Sequence, residues 1–173
     1  MMSINIIKYL NRVMTTMKMC CVSEEQRKII NTIQVYLQNP TIKEFTPTNL
    51  IFDNKNLIKD TRLAKDYQIL MNQIPMKQWQ GVDGLYVLNL SSDVFESLPC
   101  EMGIILLDCY KSYESKATPL NRDIMILSGT AEWIVGDEVY KNYSAGNMIS
   151  ANREQSLSVI ANHTPLLALY IAR

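Results

Sequence analysis

The chain of 173 residues carries a single histidine, His163, and four cysteines, Cys20, Cys21, Cys100 and Cys109. Histidine titrates near neutral pH, so it can act as a general base or bind a metal through a ring nitrogen. One histidine per chain excludes a three-histidine metal site within one subunit. His163 lies in the run ANHTP, which reads as the turn before the last strand, so an exposed or capping role is expected rather than catalysis. The cysteines lack the paired C-x-x-C spacing of a structural zinc site. Cys20 and Cys21 are adjacent, a poor geometry for a mutual disulfide. Cys109 reads as a thiol within a strand, behaving as a small hydrophobe, and no base lies in sequence reach to make it a nucleophile. Arg122 and Asp123 form the remaining pair of interest. They could face a cavity and bind an anion or polar ligand, or pair with each other at a strand edge.

Charge narrows the partners. Seventeen basic residues balance seventeen acidic ones, so a nucleic acid would find no global electrostatic attraction. Hydrophobic residues at 47% and charged residues at 20% are ordinary for a globular protein with a sizeable core. The longest apolar run, Met102 to Leu107, is the size of a strand and far from a membrane span. With no secretory h-region, reduced thiols and a cytoplasmic location are expected.

The elements that must position these groups fall into two textures. Ile4, Ile7, Leu10, Met14 and Met17 recur at intervals of three and four, which predicts an amphipathic helix. This segment carries Lys8, Arg12 and Lys18 with no acid before Glu24. It can therefore be a helix packed on the rest of the protein, or a transit or membrane-surface helix. Ser23-Glu24-Glu25-Gln26 is a capping box that opens a second helix through about Gln38, and Asn39-Pro40 ends it. An irregular connection is expected over residues 39–60, then a third helix from Lys59 to Asn72. Beyond Pro75 the segments shorten. Seven or eight strands fit into residues 82–173, separated by turn signals such as Ser128-Gly129, Gly136-Asp137, Ala145-Gly146 and Thr164-Pro165. Alternation in the final run, Pro165 to Ala172, is too weak to fix a buried face. The expected class is mainly β, with a helical region over residues 1–75 and a barrel over residues 76–173.

Residues 122–149, RDIMILSGTAEWIVGDEVYKNYSAGNMI, and residues 156–173, SLSVIANHTPLLALYIAR, resemble the core of a cupin, the double-stranded jelly-roll barrel. Asp123 or its neighbour matches the family's acidic position, Gly129 a hairpin turn, and Gly146-Asn147 the family's Gly-Asp. EMGIILLDCY, residues 101–110, fits a preceding strand more loosely. Metal-binding cupins carry a His-x-His pair, then a Glu and a Gly, and a further His in a second motif. If Gly129 is that glycine, the resemblance places the ligand positions on Ser115, Ala117, Arg122 and Leu157. Only the neighbouring Asp123 could bind a divalent metal, so neither a metal nor another cofactor is expected.

The resemblance leaves three functions. A non-catalytic, metal-free barrel binding a small molecule or a partner, with the helices in a regulatory role, ranks first. Regulatory proteins with a helical N-terminus and a C-terminal cupin resemble this layout. A metal-independent enzyme of the isomerase or epimerase type ranks second, and a cyclic-nucleotide-binding β-roll third. The last lacks support because AGNMISANREQSL offers Arg153 without the Gly-Glu and small-residue run of a phosphate cassette. Arg122, Asp123, Tyr110 and Trp133 are expected at the cavity or its mouth, although Trp133 is better suited to core or rim packing than to a ligand platform. A homodimer paired through barrel edges is expected, with neither a nucleic-acid partner nor a membrane span.

Overall fold

A computed structural model of the chain describes residues 4–43 and 80–173. The expected helix from Lys59 to Asn72 lies outside the described residues, as does most of the 39–60 connection. Helix α1 spans Ile4–Cys20 and helix α2 spans Glu24–Tyr36. The capping box forms as read. Ser23 is extended (φ −119°, ψ 154°), its Oγ accepts from the Gln26 N–H at 3.1 Å, and Gln26 Oε1 accepts from the Ser23 N–H at 3.1 Å. Two orphan donors of the helix start are thereby satisfied, and Glu24 and Glu25 lie at the positive end of the helix dipole.

The buried face of α1 is wider than the expected stripe. Leu10, Met14 and Met17 are fully buried, but Ile6, Tyr9 and Val13 join them, while Ile7 is half-buried. The helix packs on both α2 and a sheet, so two adjoining arcs of its surface are covered. Its apolar face is spent inside the protein, which supports the packed-helix reading over a membrane-surface one.

The strands are β1 (Gln80–Val82), β2 (Leu85–Asn89), β3 (Glu101–Leu107), β4 (Ser112–Ser115), β5 (Arg122–Ser128), β6 (Thr130–Val135), β7 (Glu138–Ser144), β8 (Met148–Ala151), β9 (Leu157–Ala161) and β10 (Leu166–Ala172). A single helical turn, α3 (Leu90–Asp93), follows β2 and is capped by Asn89, whose Oδ1 accepts from the Ser91 and Ser92 N–H groups. The strands exceed the expected seven or eight because β4 and β8, at four residues each, are too short to show a period. One six-stranded sheet runs β1-β2-β3-β10-β5-β8, and a four-stranded sheet runs β4-β9-β6-β7. All pairings are antiparallel.

The two sheets close over Leu107, Ile124, Ile126, Trp133, Val159 and Ala168. The other face of the six-stranded sheet, including Leu106, Met125, Leu169 and Ile171, packs against Ile6, Leu10, Met14 and Ile33 of the helices. Each fully buried Leu or Ile stabilises the fold by about 1.5–3 kcal/mol through apolar area removed from water. Strand β10 lies at the centre of this sheet with both faces covered. Its weak alternation follows directly, because a strand buried on both sides has no polar face to show.

Two expectations need correction. Gly129 does not turn a hairpin: it carries the chain from β5 in one sheet to β6 in the other. Its φ of +85° is left-handed, and a Cβ there would lie 2.1 Å from the Pro165 carbonyl oxygen. The β6–β7 hairpin turns instead at Gly136-Asp137. Cys109 is not within a strand. It follows β3 in a tight turn in which Lys111 N–H donates to Asp108 O at 3.1 Å and Cys109 N–H to Asp108 Oδ1 at 2.7 Å.

Candidate binding site in the barrel

Strand β5 opens with Arg122 and Asp123, and successive side chains of a strand point to opposite faces. The two therefore cannot share a cavity, which corrects the expectation that both face it. Arg122 turns into the barrel. Asp123 turns outward to the helices, where its Oδ1 accepts from Gln26 Nε2 and from Ser150 Oγ, both at 2.7 Å. Asp123 Oδ2 accepts from Arg173 Nε at 3.2 Å, and Arg173 Nη1 lies 2.8 Å from Glu25 Oε1. This network fastens the start of α2 to the barrel wall.

Arg122 is 7% exposed. Its Nη1 donates to Ser115 Oγ at 2.9 Å and its Nη2 to the Gln155 carbonyl at 2.6 Å. Nε is buried with no hydrogen-bond partner, and no carboxylate among the described residues pairs with the guanidinium. Burial lowers its pKa from the ordinary value, partly opposed by the nearby Tyr113. Arginine stays protonated under such pressure, so the cavity holds a desolvated positive charge.

The register builds the surroundings. Arg122 pairs with Ala172, and Ala172 with Glu101, across β5, β10 and β3. Directly paired residues share a face, so these three line the barrel in one row. The next row inward is Ile124, Tyr170 and Gly103. The Tyr170 ring lies over Gly103, where a Cβ would come within 2.5 Å of ring carbon Cε1. Burial pushes the Tyr170 phenol up to about 12, with the Glu101 charge next in effect and a hydrogen bond from the phenol to Glu101 adding to it. Tyr113, Ser115 and Leu157 come from the opposite sheet. Together these residues line a half-open cavity of about 410 Å³.

Ser115, Arg122 and Leu157, aligned with metal-ligand positions by the resemblance, all line this one cavity, whereas Ala117 is exposed on the loop after β4. A hydroxyl, a guanidinium and an isobutyl group do not fit a divalent metal. The guanidinium has no lone pair to give and repels a cation. Among the described residues no cluster of three His, Cys, Asp or Glu could hold a metal ion.

The other expected site residues lie elsewhere. Tyr110 is 75% exposed in the Asp108–Lys111 turn with a φ of +59°. Trp133 is 1% exposed in the core between the sheets. The turn carries Tyr110 past the sheet edge, and the inward parity of β6 drives Trp133 into the core. His163 is exposed in the turn before β10, away from the cavity lining. Glu101, Gly103, Tyr113 and Tyr170 were missed by the sequence reading. Gly103, a glycine inside an apolar strand, is itself a signal of close approach by another group.

No family model matches the chain, and no curated protein matches it in sequence. Solved structures do. The plu4264 protein from Photorhabdus luminescens superposes with a TM-score of 0.51 at 15% identity, covering 57% of this chain and 82% of that one. An RmlC-like cupin from Shewanella frigidimarina gives 0.46 at 12% identity over 54% of this chain and 81% of that one. The Cnp3 cupin domain from Schizosaccharomyces pombe gives 0.46 at 14% identity over 54% and 66%. The two antiparallel sheets form a cupin-like jelly-roll fold behind an N-terminal helical region. At 15% identity the likeness to the plu4264 protein speaks for the fold alone, and the chemistry rests on the residues inside the barrel.

Proposed function

We propose that this protein is a metal-free binding module whose cupin barrel takes a small anion on Arg122. The carrying observation is a buried guanidinium with an unpartnered Nε and no carboxylate partner among the described residues. Leaving such a buried charge without a counter-charge is costly, and a bound carboxylate or phosphate oxygen supplies the missing acceptor in a charge-assisted, bidentate geometry. In this reading the helical region, residues 1–75, is a regulatory layer on the barrel, residues 76–173. Location in the cytoplasm and pairing into a homodimer belong to the same proposal. The seven-residue edge strand β7, with Val139 52% exposed, supports edge pairing.

Calorimetric titration with acetate, butanoate and inorganic phosphate tests the anion site. At least one of these should bind the wild-type protein, and Arg122→Gln should weaken it by about a hundredfold while circular dichroism stays unchanged. Equal affinity in the two proteins would refute the assignment. Elemental analysis of untagged protein, purified without chelator, should find less than about a tenth of an equivalent of transition metal per chain, given the poor donor set. A full equivalent would contradict the metal-free reading.

A further inference from the structure

We infer that the ligand of this cavity is a small amino-carboxylate, its carboxylate on Arg122 and its ammonium on Glu101. The inference rests on the anion reading above and adds the second pole.

Arg122, Ala172 and Glu101 form one row on three neighbouring strands, all facing the cavity. Two interstrand spacings put the outer Cα atoms about 10 Å apart. The residue between them is alanine, so the space above it is open where any larger side chain would fill it. Arg122 and Glu101 form no ion pair with each other among the described residues. The guanidinium is buried and the carboxylate exposed, so the row runs from a covered positive end to a solvent-facing negative end.

Each pole selects. A plain carboxylate satisfies Arg122 and leaves Glu101 to water. A dicarboxylate would set its second charge against Glu101, at a repulsive cost. An amine alone has nothing to accept at Arg122 and would meet a like charge. Only a molecule with a carboxylate inside and a cationic donor outside complements both ends. Tyr170 supports this arrangement, because its ring, lying over Gly103, forms a flat wall beside the row. Val87, Ile105 and Leu157 supply an apolar surround for a methylene chain. The cavity volume lies in the range of small-molecule sites.

The test is a titration of the 173-residue chain with glycine, 4-aminobutanoate and 6-aminohexanoate, each matched with acetate, butanoate or hexanoate. At one chain length the amino acid should bind about fivefold tighter than its matched acid, the gain expected of a half-exposed ion pair. Glu101→Gln should erase that ratio and leave the matched acid's affinity unchanged. Glu101 is exposed and glutamine has nearly the same shape, so this variant should fold. A ratio of one or below at every length would overturn the amino-carboxylate assignment while leaving the anion site intact. Failure of every probe to bind would overturn both.

Discussion

Arg122 carries the functional argument, and a residue held for binding has a recognisable energetic signature. A buried cation without a counter-charge costs stability, so replacing it by an apolar side chain of similar volume is expected to be neutral or stabilising. Arg122→Met should raise the unfolding temperature by a few degrees, about 2–4 °C per kcal/mol for a chain of this size, and abolish anion binding. A large drop in melting temperature would mean that Arg122 serves structure instead. The position was legible in the sequence; its orientation was legible too, but only through strand parity. Adjacent Arg122 and Asp123 must diverge, and Asp123 finds Gln26, Ser150 and Arg173 on the far side of β5. Glu101 was not legible as a partner, because its place beside Arg122 depends on β10 lying between β3 and β5, which no local pattern encodes.

At the scale of elements, two devices set the geometry. Gln26 closes the α2 capping box through its Oε1 and docks the helix on the barrel through its Nε2. Asp123 is the acceptor at the centre of that dock and is 3% exposed. Asp123→Ala would leave the Gln26 amide with Ser150 alone and a mostly buried Arg173 with only the exposed Glu25, and should cost about 3 kcal/mol. Chemical denaturation reads this directly; a change below about 0.5 kcal/mol, the scale of an ordinary surface substitution, would show that the network is not structural. The second device is the crossing from β5 to β6. Gly129 and Gly146 share a left-handed φ, +85° and +90°, but only Gly129 has a backbone oxygen where a Cβ would go. Gly146→Ala should cost about 1 kcal/mol, the conformational term alone, whereas Gly129→Ala should prevent folding at ambient temperature. Similar losses for both would contradict the steric account. The turn at Gly129 was visible as Ser-Gly; its change of sheet was not, since the same dipeptide serves both connections.

At the scale of the whole molecule, three layers stack: helices, the six-stranded sheet and the four-stranded sheet, with a core in each interval. The capping box and the hydrophobic stripe made the helices readable, and the turn signals made the barrel readable. The stacking was hidden in β10, whose run of Leu and Ala reads without a period because it belongs to both cores. Burial in these layers also shapes the alkaline response. Cys100 and Tyr170 are each pushed up to about 12, chiefly by burial. Their ordinary values are 9.0 and 10.0, so the folded state keeps protons that the unfolded chain releases. That contribution is complete below about pH 9 and is lost as pH rises towards 12, because stability falls wherever the native state binds more protons. Unfolding free energy should therefore decline from about pH 9 upward, and less steeply in a Cys100→Ala, Tyr170→Phe double variant. An identical slope in the two proteins would contradict the assignment.

The most direct test of the central claim observes the guanidinium itself. In a ¹H–¹⁵N correlation spectrum the Arg122 Nε–H resonance can be assigned by its disappearance in Arg122→Gln. Titration with acetate, butanoate and inorganic phosphate in turn should move that resonance saturably for at least one of them, as the buried Nε gains its missing acceptor. A resonance that stays in place through all three titrations would contradict an anion seated on Arg122.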